Sequence, residues 1–177
     1  MSIVTICVAG AESTGKSWLA GRIAAHFGVV AVPEYARAWC ATHGNDLSMA
    51  QLVHVGEVQD SNIRNMMRET RHHGGEWVVA DTDAVVTSVW AQMGDAVVDP
   101  WFGGDLFECD LYLVTDNDLP WVDDGVRIQT AQSERDRFRA ALIAEIARRG
   151  LRWAAVGGLG EARLHHALAV IDAGLRG

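Results

Sequence analysis

The stretch "GAESTGKS", Gly10–Ser17, decides how this chain is read. It fits G-x-x-x-x-G-K-[ST] and lies between an apolar run, "IVTICV" (3–8), and a stripe of Leu19, Ile23 and Phe27 spaced by four. That context predicts a strand, a phosphate-binding loop and a helix. Gly10 and Gly15 let the backbone turn tightly, so that the N–H groups of Ala11, Glu12, Ser13 and Thr14 point inward at phosphate oxygens, with a helix N-terminus behind them. Lys16 then neutralises the β and γ phosphates, and the Ser17 hydroxyl can ligate Mg²⁺. The segment through Trp18 is therefore a candidate ATP site. A chance glycine-rich turn is the plain alternative, and four specified positions in this context make it rare.

Working outward, short continuous apolar runs alternate with helical patterns: "VVAV" (29–32), "WVVAD" (77–81), "DLYLVTD" (110–116) and "RWAAVGG" (152–158) join the first run. Continuous apolarity is what strands buried on both faces require, so five parallel strands are expected in a three-layer α/β P-loop NTPase fold with helices on both faces. Phe138, Leu142 and Ile146 mark one further helix, and Leu164, Leu168, Ile171 and Leu175 another. Ser48 with Gln51, and Ser133 with Asp136, have capping-box spacing, and Gly150 suits a helix stop. Two irregular stretches, 94–109 and 117–132, are long enough to be lids or binding loops, and the second is the expected lid.

The totals set bounds. With 177 residues, 49% hydrophobic and 21% charged, the chain makes a single domain over 1–177 able to bury its own core. A net charge of −8 opposes a large footprint for nucleic acid or anionic membrane, so a phosphate ligand needs a local site. Cys7, Cys40 and Cys109 are odd in number and widely spaced, which argues against a disulfide framework or zinc site and for reduced thiols. With no basic leader before the first strand and no run of about 20 apolar residues, a soluble cytoplasmic protein is expected.

Four further segments carry candidate chemistry. In "WVVADTD", Asp81 stands at a strand's carboxyl end, where a P-loop site needs a metal-holding carboxylate. Asp83, Thr87 and Trp90 follow at helical spacing on one face, with Val86, Val89 and Met93 on another. In "PEYARAW" (33–39), Glu34 can take a proton from an attacking hydroxyl, and Arg37 can steady a phosphate or brace Glu34. Gln59 sits on the stripe Leu52, Gly56, Ile63 and Met66, facing either a ligand or a backbone partner. In "TDNDLPWVDDGVR" (115–127), an arginine is expected on the transferring phosphoryl group, Arg127 first and Arg135 second. His72 and His73 are expected at the surface. Trp18, Trp77 and Trp153 are expected to pack, and Trp39, Trp90, Trp101 and Trp121 lie near site segments.

"GAESTGKS", "PEYARAW", "VGEVQ", "ADTDAVVTSVW" and "NDLPWVDDGVR", in this order, resemble the ribosylnicotinamide kinase domain of the NadR family from Ile3 to about Asp172. The resemblance implies transfer of the γ-phosphoryl of ATP to the 5′-hydroxyl of nicotinamide riboside, a small-molecule substrate. It assigns Lys16 and Ser17 to ATP and Mg²⁺, Asp81 and Asp83 to metal and substrate, and Arg127 to the lid. Glu34, Tyr35, Arg37, Trp121 and Asp124 fall on the substrate side, with Glu34 and Asp83 both open as the base. Larger family members carry an adenylyltransferase H-x-G-H motif and sometimes a DNA-binding region; this sequence has no H-x-G-H, so both activities are expected to be absent. Trp18 and "GDAVVDPWF" depart from the family's usual residues, which bears on substrate identity more than on fold. A kinase for another nucleoside or hydroxylated metabolite, and a non-catalytic ATP-binding regulator, are the competing readings.

Overall fold

A computed structural model describes residues 2–94, 97–125 and 127–175. Among them, four strands form one parallel sheet: β1 (Val4–Ala9), β2 (Trp77–Asp81), β3 (Leu111–Thr115) and β4 (Trp153–Val156), in the order β2-β1-β3-β4. The sheet runs from Val4 opposite Trp77, through Ile6 opposite Leu111, to Tyr112 opposite Trp153. The expected fifth strand at 29–32 is reduced to one bridge, Val32 against Ala80. Its start is taken up in closing the preceding helix, where the Val29 N–H reaches the Ala24 carbonyl, and Pro33 supplies no further N–H for a ladder.

Among the described residues, six α-helices cover the sheet: α1 (Lys16–His26), α2 (Tyr35–His43), α3 (Met49–His72), α4 (Ala84–Met93), α5 (Gln132–Arg148) and α6 (Gly160–Leu175). The central strand alternates between two cores. Ile6 and Val8 pack with Leu19 and Ile23 of α1 and Leu164 and Ile171 of α6. Cys7 and Ala9 pack with Val85 and Val89 of α4 and Phe138, Leu142 and Ile146 of α5. A third cluster seats Ile63 of α3 on Val32, Val78 and Ala80. Both faces of β1 are thus removed from water, which is why its sequence is continuously apolar.

Helix boundaries follow local chemistry. Ser48 and Gln51 form the expected capping box of α3. The Ser133–Asp136 pair does not cap α5. That helix begins at Gln132, and Glu134 instead accepts from the Ala131 N–H at 3.1 Å. Gly150 follows α5 at φ 70°, the left-handed stop its sequence predicted. Residues 97–109 are a pinned plug rather than a lid: the Phe107 N–H donates to Asp60, Arg64 to the Asp105 carbonyl and Arg149 to the Phe102 carbonyl. Trp18 and Trp153, expected in the core, are 43% and 38% exposed because α1 turns its first residues outward and β4 is an edge strand. Trp77 does pack, its ring stacked 3.9 Å from that of Phe27.

Candidate functional site

The chain leaves β1 toward β2 on one side and later crosses back to β3 on the other, so β1 and β3 part at a topological switch point where open α/β sheets bind ligands. The loop 10–15 closes that crevice. Gly10 has φ 150°, and a Cβ there would stand 2.1 Å from the Thr115 hydroxyl oxygen, so a side chain is excluded. Thr115, at the end of β3, donates to Thr14 Oγ1 at 2.7 Å, and Thr14 donates to the Ala11 carbonyl at 2.8 Å. Gly15 opens α1 from the left-handed region, and Lys16 reaches back across the loop to the Ala11 carbonyl at 2.8 Å. Ser17 is exposed on the first turn of α1.

Glu34 and Glu12 line the crevice together with Lys16. Glu34, just before α2, has a side chain one-fifth exposed. Burial pushes its carboxyl above the ordinary range, Lys16 and Arg37 draw it back, and Asp81 and Glu12 add to the rise. Glu12 is raised as well, chiefly by burial, against the Gln129 and Ile128 N–H groups it accepts at 2.7 and 2.8 Å. At the end of β2, Asp81 is 5% exposed and its Oδ1 has no hydrogen-bond partner among the described residues. A buried carboxylate oxygen left unpaired is suited to a cation.

The described part of the segment expected as a lid, 117–132, contacts the loop. The Ser13 hydroxyl accepts from the Val122 N–H and from Arg127 Nη1, both at 2.8 Å. Ser13 holds φ 59°, a strained value for a side-chain-bearing residue, at the place where loop and lid meet. Arg127 Nε stands 3.1 Å from Asp124, which also pairs with Arg37; Arg37 Nε is in turn 3.7 Å from Glu34. A chain of alternating charge therefore runs from Glu34 through Arg37, Asp124 and Arg127 to the phosphate-binding loop.

Beyond these groups the crevice widens into a cavity of about 430 Å³ lined by Gly10, Glu12, Lys16, Glu34, Arg37 and Arg127, with Cys40, Leu52, Val55, Val86, Thr87, Trp90 and Met93 as its farther wall. Its volume falls within the about 300–1,000 Å³ typical of small-molecule sites. Thr87 and Trp90 line it, and so do Val86 and Met93, so the two faces anticipated for α4 are not segregated.

Several candidates lie elsewhere. Asp83 is fully buried behind the cavity wall; its side chain accepts from the Val86 N–H at 3.0 Å and from the Tyr112 hydroxyl at 2.5 Å. It is the N-cap of α4 and does not line the cavity. Gln59 is 1% exposed and spends its amide on the Tyr35 N–H and the Thr82 carbonyl, joining α2 to the turn after β2. Tyr35 turns its ring to Trp39 and His54. Trp18 lies on the surface under Arg22, 5.9 Å from its ring. Arg135 is 4% exposed and holds the Leu119 carbonyl at 3.0 Å and Gln132, so it braces the base of the lid. Trp121 is not among the cavity's lining, and its indole nitrogen is buried.

One side-chain role and one residue escaped the sequence reading, which expected only the Glu12 N–H to serve the phosphates. Glu12 couples the phosphate-binding loop to the lid backbone, which the motif, silent on its third position, does not signal. Arg163 is 1% exposed and grips the same loop from α6; in sequence it is one polar residue on an amphipathic helix.

The sequence profile of the AAA domain family matches residues 5–163. The trifunctional NAD biosynthesis/regulator protein NadR of Escherichia coli (strain K12) is 25% identical over 142 residues, 78% of this chain and 34% of its own length. NadR of Salmonella typhimurium gives the same identity over the same length of alignment. The chain thus spans about a third of the length of these curated relatives, 34%. A crystal structure of a NadR protein in complex with NR matches with a TM-score of 0.75 and 25% identity, over 97% of this chain and 51% of that one. Thymidylate kinase from Ehrlichia chaffeensis shares the fold, with a TM-score of 0.65 at 12% identity over 98% of this chain and 99% of that one. With the phosphate-binding loop, the parallel sheet and these likenesses together, the chain belongs to the AAA domain family, as a NadR-like P-loop domain.

Proposed function

We propose that the chain is an ATP-dependent kinase that phosphorylates the 5′-hydroxyl of nicotinamide riboside, yielding nicotinamide mononucleotide. The observation that carries this reading is the single cavity in which Lys16, Glu34 and Arg127 meet an apolar wall ending in Trp90 and Met93. The likeness to NadR supports the choice of acceptor.

In the proposed reaction the 5′-oxygen attacks the γ-phosphorus in line, its proton passes to the Glu34 carboxylate, and the bond from the γ-phosphorus to the β,γ-bridging oxygen breaks to release ADP. Main-chain N–H groups of residues 11–15 and the Lys16 ammonium hold the phosphates. Arg127, carried by the lid, meets the charge that develops on the transferring group. Ser17 and the unpaired Asp81 oxygen are the residues that would hold Mg²⁺, which supplies charge neutralisation on the phosphates. Glu34 suits the base better than Asp83 because it lines the cavity, whereas both Asp83 oxygens lie behind the wall. The cationic pyridinium ring would find the Trp90 face together with Asp46 and Glu34, all lining the cavity.

A panel of acceptors tests the assignment. With ATP and Mg²⁺, ADP release should be fastest with nicotinamide riboside and slow with uridine, thymidine and dTMP. Equal or faster turnover of a neutral nucleoside would reject the pyridinium preference, and no turnover with any acceptor would reject a kinase.

A further inference from the structure

A buried guanidinium is costly unless its donors are paired, and Arg163 is 1% exposed, in a position where an apolar side chain would fill space without that cost. Its pairing is distributed over three separate segments. Nε donates to the Gly158 carbonyl at 2.8 Å, Nη1 to the Thr14 carbonyl and Nη2 to Asp118 Oδ1. Asp118 in turn accepts the Gly158 N–H at 2.7 Å. The Gly158 N–H and Arg163 together hold its carboxyl below the ordinary range, against the partial burial that pushes it up. Thr14 belongs to the phosphate-binding loop, Asp118 to the loop after β3 and Gly158 to the loop after β4.

The contact with Thr14 has a directional consequence. In a trans peptide the C=O and the following N–H point in opposite directions across one plane, and no peptide bond among the described residues is cis. Drawing the Thr14 carbonyl toward α6 therefore aims the Gly15 N–H away from α6. The same arginine closes the loop after β3 against Gly15, where a Cβ would stand 3.0 Å from Leu119 and 3.5 Å from Arg163 Nη1.

We propose that Arg163 is a positioning residue for the nucleoside triphosphate: it orients the Thr14–Gly15 peptide and locks the phosphate-binding loop to the loops after β3 and β4, so that the three form one preorganised seat. This rests on the nucleotide-binding reading of the loop and extends it to a residue outside the motif. Arg163 does not line the cavity and acts through Thr14.

The test compares wild type, Arg163→Met, Arg163→Lys and Asp118→Asn. Calorimetric titrations use ATP with Mg²⁺ and inorganic tripolyphosphate with Mg²⁺, beside steady-state KM values for ATP and acceptor. The expected result is that R163M binds ATP and tripolyphosphate about tenfold or more weakly, by similar factors. Its acceptor KM stays within about twofold, R163K recovers part of the loss and D118N falls between. Should R163M fail to fold, R163K and D118N carry the same comparison. Wild-type affinity for both ligands in R163M, or in R163K and D118N if those are the folded variants, would overturn the proposal. So would a loss spread equally over ATP and acceptor, the mark of a merely structural role. Wild type that binds neither ATP nor tripolyphosphate would overturn the nucleotide reading itself, a result recognisable before any variant is made.

Discussion

Two carboxylates two residues apart from the same strand end meet opposite fates. Asp81 keeps an unpaired oxygen, while Asp83 is wholly consumed by the cap of α4 and the Tyr112 hydroxyl. Sequence spacing brought both to the carboxyl edge of the sheet and had no means of telling which way each side chain turns. Glu34 was legible as an acid at that edge, and its burial beside Lys16 is tertiary. Replacing Lys16 with Ala should lower turnover by about 10²-fold or more, measured by ADP release in a variant with an unchanged circular dichroism spectrum. Because a base acts deprotonated and the Glu34 carboxyl lies above the ordinary carboxylate range, kcat/KM should fall as pH drops through that raised value. Glu34→Gln should remove this acidic limb along with about 10²-fold or more of the rate; a limb that persists in the variant would assign it to another group.

Elements show the same division between local and distant causes. The capping box of α3 and the Gly150 stop are written in adjacent residues and could be read directly. The edge segment 29–32 could not, because whether "VVAV" extends a sheet depends on the partner and on Pro33. Asp83 gives α4 a pH signature. Burial raises its carboxyl from the usual 3.8 to about 6, with the Tyr112 hydroxyl and the Val86 and Val85 N–H groups opposing the rise. A raised native pKa favours the folded state most below the unfolded value, and that contribution is lost as pH rises through about 6. The stability of wild type relative to Asp83→Asn should therefore fall by on the order of 3 kcal/mol between acid and neutral pH. Denaturant unfolding across that range checks it, and a pH-independent difference would contradict the burial argument. Packing makes a second distinction. A Cβ on Gly56 of α3 would meet the Trp101 ring at 2.6 Å, whereas one on Gly21 of α1 would meet nothing within 4 Å. Gly21→Ala should stabilise by about 1 kcal/mol through helix propensity. In Gly56→Ala the clash, costing about 1–3 kcal/mol, offsets or outweighs that gain, so the thermal midpoints of the two variants should separate.

Across the whole molecule, the phosphate-binding loop is the meeting point of α1, the lid and α6. Its motif disclosed the loop and the β1–α1 unit because glycine, lysine and serine have chemical reasons to stand at those spacings. The partners that hold it, Thr115, Ile128 and Gln129 on the loop's own Glu12, and Arg163, come from remote parts of the chain whose sequences carry no mark of the encounter. The charge chain Glu34–Arg37–Asp124–Arg127 likewise joins two segments, 33–39 and 115–127, whose meeting neither sequence announces. Removing Arg127 should separate lid from loop and lower kcat by about 10³-fold, with a smaller effect on acceptor KM. Most direct of all is to incubate the protein with ATP, Mg²⁺ and nicotinamide riboside and follow products by mass spectrometry. Stoichiometric ADP and nicotinamide mononucleotide, lost in Lys16→Ala, are predicted; an unphosphorylated riboside beside a protein shown to bind ATP would contradict the account.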